Sequence, residues 1–426
     1  MTAYAASGPW DFYGDRQRRL FLLVLFLATA LNNLDKTVIT VVLEPIKQEF
    51  RVSDTALGLL SGLSFALLYA TLGIPVAWLA DRGNRKRILT VALTIWSGMT
   101  VVCGATQSFG QLLVARIGVG AGEAGGIPPA QSLIADYFPP ARRARALTIL
   151  SGSLVVGYLL GLTAGAQVAA HYGWRMTMVA AGAPGLVVAG IAMLLLDEPR
   201  LRMPPAAQAS ARTGILPHGR ALLAKPSFVS MLIGITVYNM FSSGVFSFVP
   251  PYLMRVLKVP LGDVGLYYGA LSASAALIGI SLGGLLVGWL APRDPRWQAW
   301  LCAAGLLGSL PFFVAAFLMD SFAHFLMTVA VGMVLLNISY GVMFTALHAV
   351  CGSARRALAV AITLFASNLI GAGLGPVITG MLSDFFTARH GVEGLRIAMV
   401  IASVSLLVSA LAMLHGGNRM LHDLED

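Results

Sequence analysis

The stretch Arg116-Ile-Gly-Val-Gly-Ala-Gly-Glu123-Ala124-Gly-Gly places an arginine and a glutamate inside a long apolar segment of the chain. The two charged residues are seven positions apart, which is nearly two turns of an α-helix, so their side chains lie on the same face. A charge at the centre of a bilayer costs about 2.5 kcal/mol or more and normally faces a cavity or a partner. The stretch therefore predicts a membrane-spanning helix with a functional charged face.

The composition excludes a soluble globular domain. The mean hydropathy is +0.78, apolar residues make up 57% of the chain and charged residues 11%, whereas soluble domains carry about 25% charged residues. The basic residues that give the net charge of +10 lie in alternate loops and not in one patch, so we expect no nucleic-acid partner. The three cysteines are far apart in apolar surroundings, which predicts neither a disulfide nor a metal site.

Twelve hydrophobic runs of the length needed to cross a bilayer, about 20 residues each, are separated into two sets of six by a polar stretch. The predicted fold is an all-α polytopic membrane protein with 12 transmembrane helices in two six-helix pseudo-repeats. The predicted parts are an N-terminal tail (1–19), a first bundle (20–196), a linker (197–226), a second bundle (227–415) and a C-terminal tail (416–426).

Lysine and arginine predict the orientation. Alternate loops and both tails hold 20 of the 29 basic residues, the opposite loops hold seven, and Lys36 and Arg116 lie within spans. The positive-inside rule then places both tails and the linker in the cytoplasm.

The two halves of the chain resemble one another at a constant offset of 211 residues. Ala77-Trp-Leu-Ala-Asp81-Arg82 matches Gly288-Trp-Leu-Ala-Pro292-Arg293, and Arg145-Ala-Leu matches Arg356-Ala-Leu. Two parallel repeats of this kind predict a substrate site at their interface, exposed alternately to the two sides of the membrane.

The loop Asp81-Arg82-Gly83-Asn84-Arg85-Lys86-Arg87 resembles the signature loop of the major facilitator superfamily, G-x-L-A-D-R-x-G-R-[KR]. It matches at the aspartate, the arginine and the basic pair, and departs at the first glycine, where Ala77 stands. Arg116 in Arg-x-x-x-Gly-x-Gly resembles that superfamily's fourth-helix motif. The fifth span has glycines four residues apart and resembles its glycine-rich motif: Gly157, Gly161 and Gly165.

A narrower resemblance is to the spinster-like branch of this superfamily. It rests on Asn33-Leu-Asp35-Lys36, on Leu43-Glu-Pro-Ile-Lys with Ser53-Asp54, and on Gly122-Glu123-Ala124 followed by Asp136-Tyr-Phe-Pro-Pro. Lys36 stands where that branch has an arginine. The branch is associated with proton-driven export or release of lysophospholipids and sphingoid-base phosphates. The resemblance implies the same substrate class here.

The residues predicted to carry proton coupling and substrate binding are Asp35, Arg116, Glu123, Asn32 and Lys36. A carboxylate such as Glu123 in an apolar helix can exchange a proton for a cationic partner, which a coupled carrier requires. The planar guanidinium of Arg116 suits a phosphate or carboxylate head group. Glu123, Arg116 and Asp35 could instead belong to permanent structural ion pairs.

Cytoplasmic gate residues are predicted around the signature loop and beyond the fourth span: Asp81, Arg82, Arg85, Asp136, Arg142 and Arg145. The resemblance implies that this cluster braces the inner ends of the helices. Basic residues would lie in these loops in any case, because they set the topology.

The second half has almost no buried charge, since Met327 and Val334 stand at the offset positions of Arg116 and Glu123. Its polar and aromatic residues are candidates to line a cavity, although each of them could simply pack between helices: Tyr238, Asn239, Phe246, Asn337, Tyr340, Phe344 and Asn368. An apolar wall opposite a charged wall suits an amphiphile.

We therefore expect a proton-coupled secondary carrier that exports a lysophospholipid- or sphingolipid-like anion, functions as a monomer and needs no cofactor. The alternative within the fold is a proton-coupled symporter of small organic anions such as sugar acids. Sodium coupling and a carrier-derived binding protein stay open. No motif of an enzyme site is present. The compact chain and short loops favour a bacterial inner membrane.

Overall fold

The computed structural model describes residues 9–202 and 215–423. These ranges fold into helices and contain no strand, which confirms the predicted all-α class. The helices are α1 (Asp15–Phe50), α2 (Asp54–Gly58), α3 (Ser64–Arg82), α4 (Arg85–Ala105), α5 (Phe109–Glu123), α6 (Ile127–Tyr137), α7 (Pro140–Leu195), α8 (Ile215–Leu223), α9 (Pro226–Arg255), α10 (Leu261–Asp263), α11 (Gly269–Leu290), α12 (Trp297–Leu318), α13 (Phe322–Ala349), α14 (Gly352–Ala366), α15 (Gly373–His390) and α16 (Glu393–Asp423).

Within the described ranges, ten uninterrupted helical stretches are long and apolar enough to cross a membrane. The sequence predicts twelve crossings, and two features explain the difference. The fourth crossing is divided between α5 and α6, each too short to span on its own, and the fifth and sixth crossings are counted together in α7. The chain is a multi-pass integral membrane protein with the predicted twelve-helix, two-repeat architecture.

The fourth crossing breaks directly after Glu123. Ala124, Gly125 and Gly126 form a turn in which Gly126 N–H donates to the carbonyl of Glu123 at 3.0 Å. The next helix begins with prolines in its first turn, where the missing N–H groups cost nothing. The break therefore places Glu123 in the last turn of α5.

The fifth and sixth crossings meet at Gly173, which has φ +79° in the middle of α7. Only glycine adopts this conformation without strain. The chain therefore reverses at Gly173 without a separate loop.

Backbone contacts divide the chain into two compact units. The first comprises Met1–Val42 with Leu67–Ala211, and the second comprises Leu43–Ala66 with Arg212–Asp426. The end of α1 and all of α2 thus belong to the second unit, although α1 begins in the first. Within the predicted linker, Pro199–Arg202 form a short 3-10 turn and Ile215–Leu223 form α8, while residues 203–214 lie outside the described residues.

In the second unit, α2 packs against α15 at very short range. A Cβ atom on Gly58 would lie 2.3 Å from the carbonyl oxygen of Pro376, and one on Gly380 would lie 2.2 Å from that of Asp54. Small residues permit such close approach between helices in a membrane. A π-helical turn, Leu59–Leu63, joins α2 to α3, and equivalent turns precede α11 and α15.

Candidate functional site

An ion pair between Lys36 and Glu123 joins α1 to α5 within the first unit. Lys36 Nζ is 2.9 Å from Glu123 Oε2, and the Glu123 side chain is fully buried. The same ammonium donates to Asn32 Oδ1 at 2.9 Å and lies 5.1 Å from the centroid of the Tyr69 ring. Lys36 therefore joins polar groups of α1, α3 and α5 at one point.

A second ion pair lies beside the first. Arg116 Nη1 of α5 is 3.6 Å from Asp35 Oδ1 of α1, and both side chains are buried. Thr100 of α4 donates its hydroxyl to Asp35 Oδ2 at 2.9 Å. Asp35 therefore has two different partners on two neighbouring helices.

The chain reaches this arrangement by simple helical geometry. Asp35 and Lys36 are adjacent on α1, so their side chains point about 100° apart and cannot pair well with each other. Each pairs instead with a residue on α5. Arg116 and Glu123 share a face of α5, as the spacing predicts, and both reach α1 from it.

An apolar cavity of about 200 Å³ adjoins the Lys36–Glu123 pair. Its polar wall includes Asn32, Tyr69 and Glu123, together with Gln131 on α6. The rest of the lining is mainly aliphatic and aromatic: Leu25, Leu89, Trp96, Leu147, Leu150 and Leu154. The cavity therefore combines a charged end with a larger apolar surface.

Arg85 is the centre of a third cluster, at the predicted cytoplasmic end of the first unit. Its guanidinium lies 2.6 Å from Asp136 Oδ2 and 2.6 Å from Glu198 Oε1, and it donates to Ser132 Oγ at 2.9 Å. The backbone N–H of Lys86 also donates to Glu198, at 3.1 Å. Arg85 and Glu198 are both buried. Glu198 thus connects the end of the sixth crossing to the start of α4.

The other gate candidates have different surroundings. Arg82 is exposed and stacks 4.2 Å from the Trp78 ring centroid. Arg142 forms an exposed ion pair with Asp15 at 2.9 Å, and Arg145 is exposed. The side chain of Asp81 lies outside the described residues.

The cavity candidates of the second half occupy the second unit. Tyr238 and Tyr340 stack with ring centroids 5.9 Å apart, and Phe246 is 6.1 Å from Phe313. Two asparagines donate to their own helices, Asn337 to Met333 O and Asn368 to Leu364 O. Asn239 and Phe344 are partly exposed.

A further ionic cluster in the second unit was not assigned a role from the sequence; we call it the outer cluster, after its predicted side of the membrane. Its centre is Asp54, which accepts from Lys47 at 2.6 Å, from Ser383 at 2.6 Å, and from Arg255. Arg255 also donates to Glu44. Asp384 accepts from the backbone N–H groups of Asp54 and Thr55, both at 2.8 Å. Its six members are Glu44, Lys47, Asp54, Arg255, Ser383 and Asp384.

For some of the residues that sequence reasoning missed, the sequence does contain a signal. Lys47 and Arg255 belong to the small group of basic residues on the side that the positive-inside rule leaves poor in them. Glu198 lies just after the end of the sixth span and precedes Pro199. An acidic residue so close to the end of a span is a candidate partner for the basic residues of the neighbouring loops. Thr100 carried no signal, because a threonine in an apolar span is common.

Comparison with known proteins points to one family. The model of the Major Facilitator Superfamily matches residues 25–372. An MFS-type efflux pump of Mycolicibacterium smegmatis is 33% identical over 94% of this chain and 93% of that protein. Protein spinster homolog 1 of Homo sapiens is 29% identical over 86% of this chain and 73% of that protein. The sphingosine-1-phosphate transporter SPNS2 of Mus musculus is 28% identical over 85% and 69%, respectively.

The structure is also similar to a solved one. A crystal structure of a bacterial homologue of the human lysosomal transporter Spinster, in an inward-facing and unoccupied conformation, superposes with a TM-score of 0.88. The two chains are 34% identical, and the match covers 97% of this chain and 100% of the other. These similar proteins are transporters and not enzymes.

Proposed function

This chain belongs to the Major Facilitator Superfamily, and from that membership we propose a specific role within it. The protein is a proton-coupled secondary carrier that works by alternating access. It exports an amphiphilic lysophospholipid- or sphingolipid-like anion. The relative named as a sphingosine-1-phosphate transporter supports this substrate class, as does the resemblance to the spinster-like branch, and the relative named as an efflux pump supports export.

The observation that carries the proposal is that Glu123 lines an apolar cavity and pairs with Lys36, whose ammonium also contacts Asn32 and Tyr69 of the cavity lining. An amphiphile needs cationic groups for its head and an apolar surface for its chain. Lys36 beside the cavity can supply the first, with Arg116 in the neighbouring ion pair as a second cation, and the leucines and Trp96 of the cavity can supply the second. A small polar acid would leave that apolar surface without a partner.

Charge balance links substrate to protons. The two ion pairs contain two carboxylates and two cations, so the site is neutral when all four are charged. An added anion would be buried without compensation, which costs several kcal/mol. For an anion without an amine, protonation of Glu123 would free Lys36 and restore the balance, which is co-transport; for a substrate that carries an amine, the amine itself would restore the balance. Proton occupancy and substrate occupancy of this site are therefore coupled.

Export against an inward proton gradient requires exchange, in which substrate and proton compete for one group. Lysophosphatidylethanolamine and sphingoid-base phosphates carry an amine close to the phosphate. The phosphate would pair with Lys36 and Arg116, and the amine would take the position opposite Glu123. The substrate and the proton would then compete for the Glu123 carboxylate, so that export of one accompanies entry of the other.

The two remaining ionic clusters are proposed to act as gates on opposite sides of the membrane. The cluster of Arg85, Asp136 and Glu198 lies at the predicted cytoplasmic end, and the outer cluster lies at the predicted external end. We place the protein in a bacterial inner membrane, as a monomer with both termini in the cytoplasm. The abundance of lysine and arginine in the alternate loops supports this orientation.

The proposal is tested by flux in proteoliposomes under an imposed pH gradient, with labelled lysophospholipid and labelled sugar acid in separate runs. We expect gradient-dependent movement of the lysophospholipid, lost in Glu123→Gln and retained in Asp263→Asn, which makes the same carboxylate-to-amide change at an exposed position outside the cavity. Movement of the sugar acid alone would overturn the lipid assignment in favour of organic-anion transport. Gradient-dependent flux retained in Glu123→Gln would remove Glu123 from the coupling mechanism.

A further inference from the structure

The predicted external side of the protein contains few basic residues, and most of them lie in one place. Seven lysines and arginines lie in the external loops, and four of these seven line a single cavity of about 570 Å³ in the second unit. The four are Lys47, Arg51, Arg255 and Lys258. Because the positive-inside rule disfavours basic residues on this side, this concentration calls for a specific role.

The charges of the cavity wall are unequally matched. Glu44 is the single acidic residue of the lining. Lys47 and Arg255 are held by Asp54 and Glu44 in the outer cluster. In contrast, Arg51 and Lys258 are exposed, and no carboxylate of the described residues lies within ion-pair distance of either. The cavity therefore presents two uncompensated cations in addition to two neutralised ones.

The backbone holds these two cations in an unusual conformation. Arg51 has φ 51° and Lys258 has φ 55°, and they are the two non-glycine residues with positive φ in the described part of the chain. Each of them follows the end of a long helix, α1 and α9 respectively. A basic residue near a helix C-terminus is stabilised by the helix dipole. The dipole does not explain why both side chains line the same cavity, and strained residues of this kind often lie at functional sites.

We propose that this cavity is a second binding site, for the phosphate head group of a lipid-like molecule on the external face, with Arg51 and Lys258 as its principal cations. The inference rests on the proposed function, because the site would receive the substrate as it leaves the carrier. A phosphate accepts hydrogen bonds from an arginine fork and an ammonium at the same time. The same chemistry would also hold the phosphate of an external-leaflet phospholipid.

The three native cysteines are buried, so a single exposed cysteine can be labelled selectively. Val392 lines the cavity and is 51% exposed. We would attach an environment-sensitive fluorophore to Val392→Cys in the full-length protein, reconstituted in phosphatidylcholine nanodiscs. Lysophosphatidylglycerol would be titrated below its critical micelle concentration. A monoacylglycerol with the same chain, which lacks the phosphate, and inorganic phosphate would be titrated separately.

The test variants are Arg51→Asn and Lys258→Asn, because asparagine tolerates positive φ better than other uncharged polar residues. Arg389→Gln is the matched control, since it removes an exposed external charge outside the cavity. We expect the half-saturating concentration of lysophosphatidylglycerol to rise about fivefold in each test variant. It should stay unchanged in Arg389→Gln and recover in Arg51→Lys and Lys258→Arg.

Equal half-saturation in wild type and in both asparagine variants would overturn the proposal, as would an equal response to monoacylglycerol. A charge-dependent response in discs that contain phosphatidylglycerol, without further change on adding the lysophospholipid, would support the phosphate site and assign its ligand to the bilayer. Lysophospholipid flux in proteoliposomes is measured separately on the same variants. Lysophospholipid flux without a cavity response would overturn this inference alone, and a cavity response without flux would overturn the proposed function alone.

Discussion

Asp54 and Arg255 form a two-pronged ion pair, in which Nη1 lies 2.7 Å from Oδ2 and Nη2 lies 2.7 Å from Oδ1. The pair ties the start of α2 to the end of α9. The end of α1, all of α2 and α9 belong to the second unit, so this attachment is internal to that unit. The outer cluster is proposed above as an external gate, and the contacts of Asp54 make that proposal testable.

The first prediction concerns this gate. Asp54 is 1% exposed and pairs with both Arg255 and Lys47. In Asp54→Asn, Glu44 would be the remaining carboxylate of the cluster in contact with Arg255, and Lys47 would lose its ion-pair partner. We expect a loss of about 3 kcal/mol in unfolding free energy, seen as a lower melting temperature in detergent. Asp263→Asn, at an exposed aspartate of the matching region in the second half, is the control. Equal melting temperatures for the two variants would contradict the role given to Asp54.

The second prediction concerns Lys36. Lys36→Gln removes the cation beside Glu123, so we expect lysophospholipid flux to fall about tenfold or more, since hydrogen bonds to charged groups contribute about 1.5–3 kcal/mol. Lys36→Arg keeps the charge and restores the arginine of the spinster-like motif, so it should retain most of the flux. Initial rates in proteoliposomes measure both. Similar rates in Lys36→Gln and Lys36→Arg would exclude a role for the charge.

The third prediction separates exchange from co-transport. If a substrate amine competes with the proton at Glu123, lysophosphatidylethanolamine should move against the proton flow. Lysophosphatidylglycerol, which has a phosphate and no amine, should move with it. Labelled flux under opposite pH gradients gives both directions. The same direction for the two lipids would rule out competition for Glu123 by the amine.

The fourth prediction concerns the cytoplasmic cluster. Glu198 and Arg85 are almost fully buried, whereas the Asp136 side chain is 20% exposed. Glu198→Gln should therefore lower the melting temperature more than Asp136→Asn, with a loss of about 3 kcal/mol for the buried pair. The comparison also shows which carboxylate dominates the cluster. A larger effect of Asp136→Asn would reverse that assignment.

The fifth prediction concerns helix contact in the second unit. A Cβ atom on Gly380 would lie 2.2 Å from the carbonyl oxygen of Asp54, so Gly380→Ala must push α2 away from α15. We expect a destabilisation of about 1–3 kcal/mol or more. Gly284→Ala, where a Cβ atom meets nothing within 4 Å, should melt like the wild type. Unfolding in detergent measures both, and equal melting temperatures would contradict the close approach.

The sequence was sufficient to predict the fold class, because hydropathy and loop charge report directly on the requirements of a bilayer. It was less informative about the course of individual helices. The break after Glu123 could have been expected from Gly125, Gly126 and two following prolines, yet the continuous hydropathy conceals it. Hydropathy separates the fifth and sixth crossings near Gly173, but it does not show that the two helices meet there without a loop.

The charged residues of the first half could be found from the sequence because they lie within otherwise apolar spans. Their pairing could not be predicted, since Asp35 and Lys36 differ by one position and the partner of each depends on how α1 faces α5. The outer cluster was harder to predict. Arg255 and Asp54 are 201 residues apart in the chain, and each looks like an ordinary charge at a helix end.

The arginine–tryptophan stack at the end of α3 has a counterpart at the end of α11, where Arg293 lies 3.9 Å from the Trp289 ring centroid. The two stacks are related by the offset of 211 residues, which also relates Arg116 and Glu123 to Met327 and Val334. If the halves descend from one duplicated gene, the copies have stayed alike where the lipid surface makes the same demand on both. They have diverged at the positions of Arg116 and Glu123, where the second half has neutral residues. The buried charges of the first half therefore serve the whole molecule without a second copy.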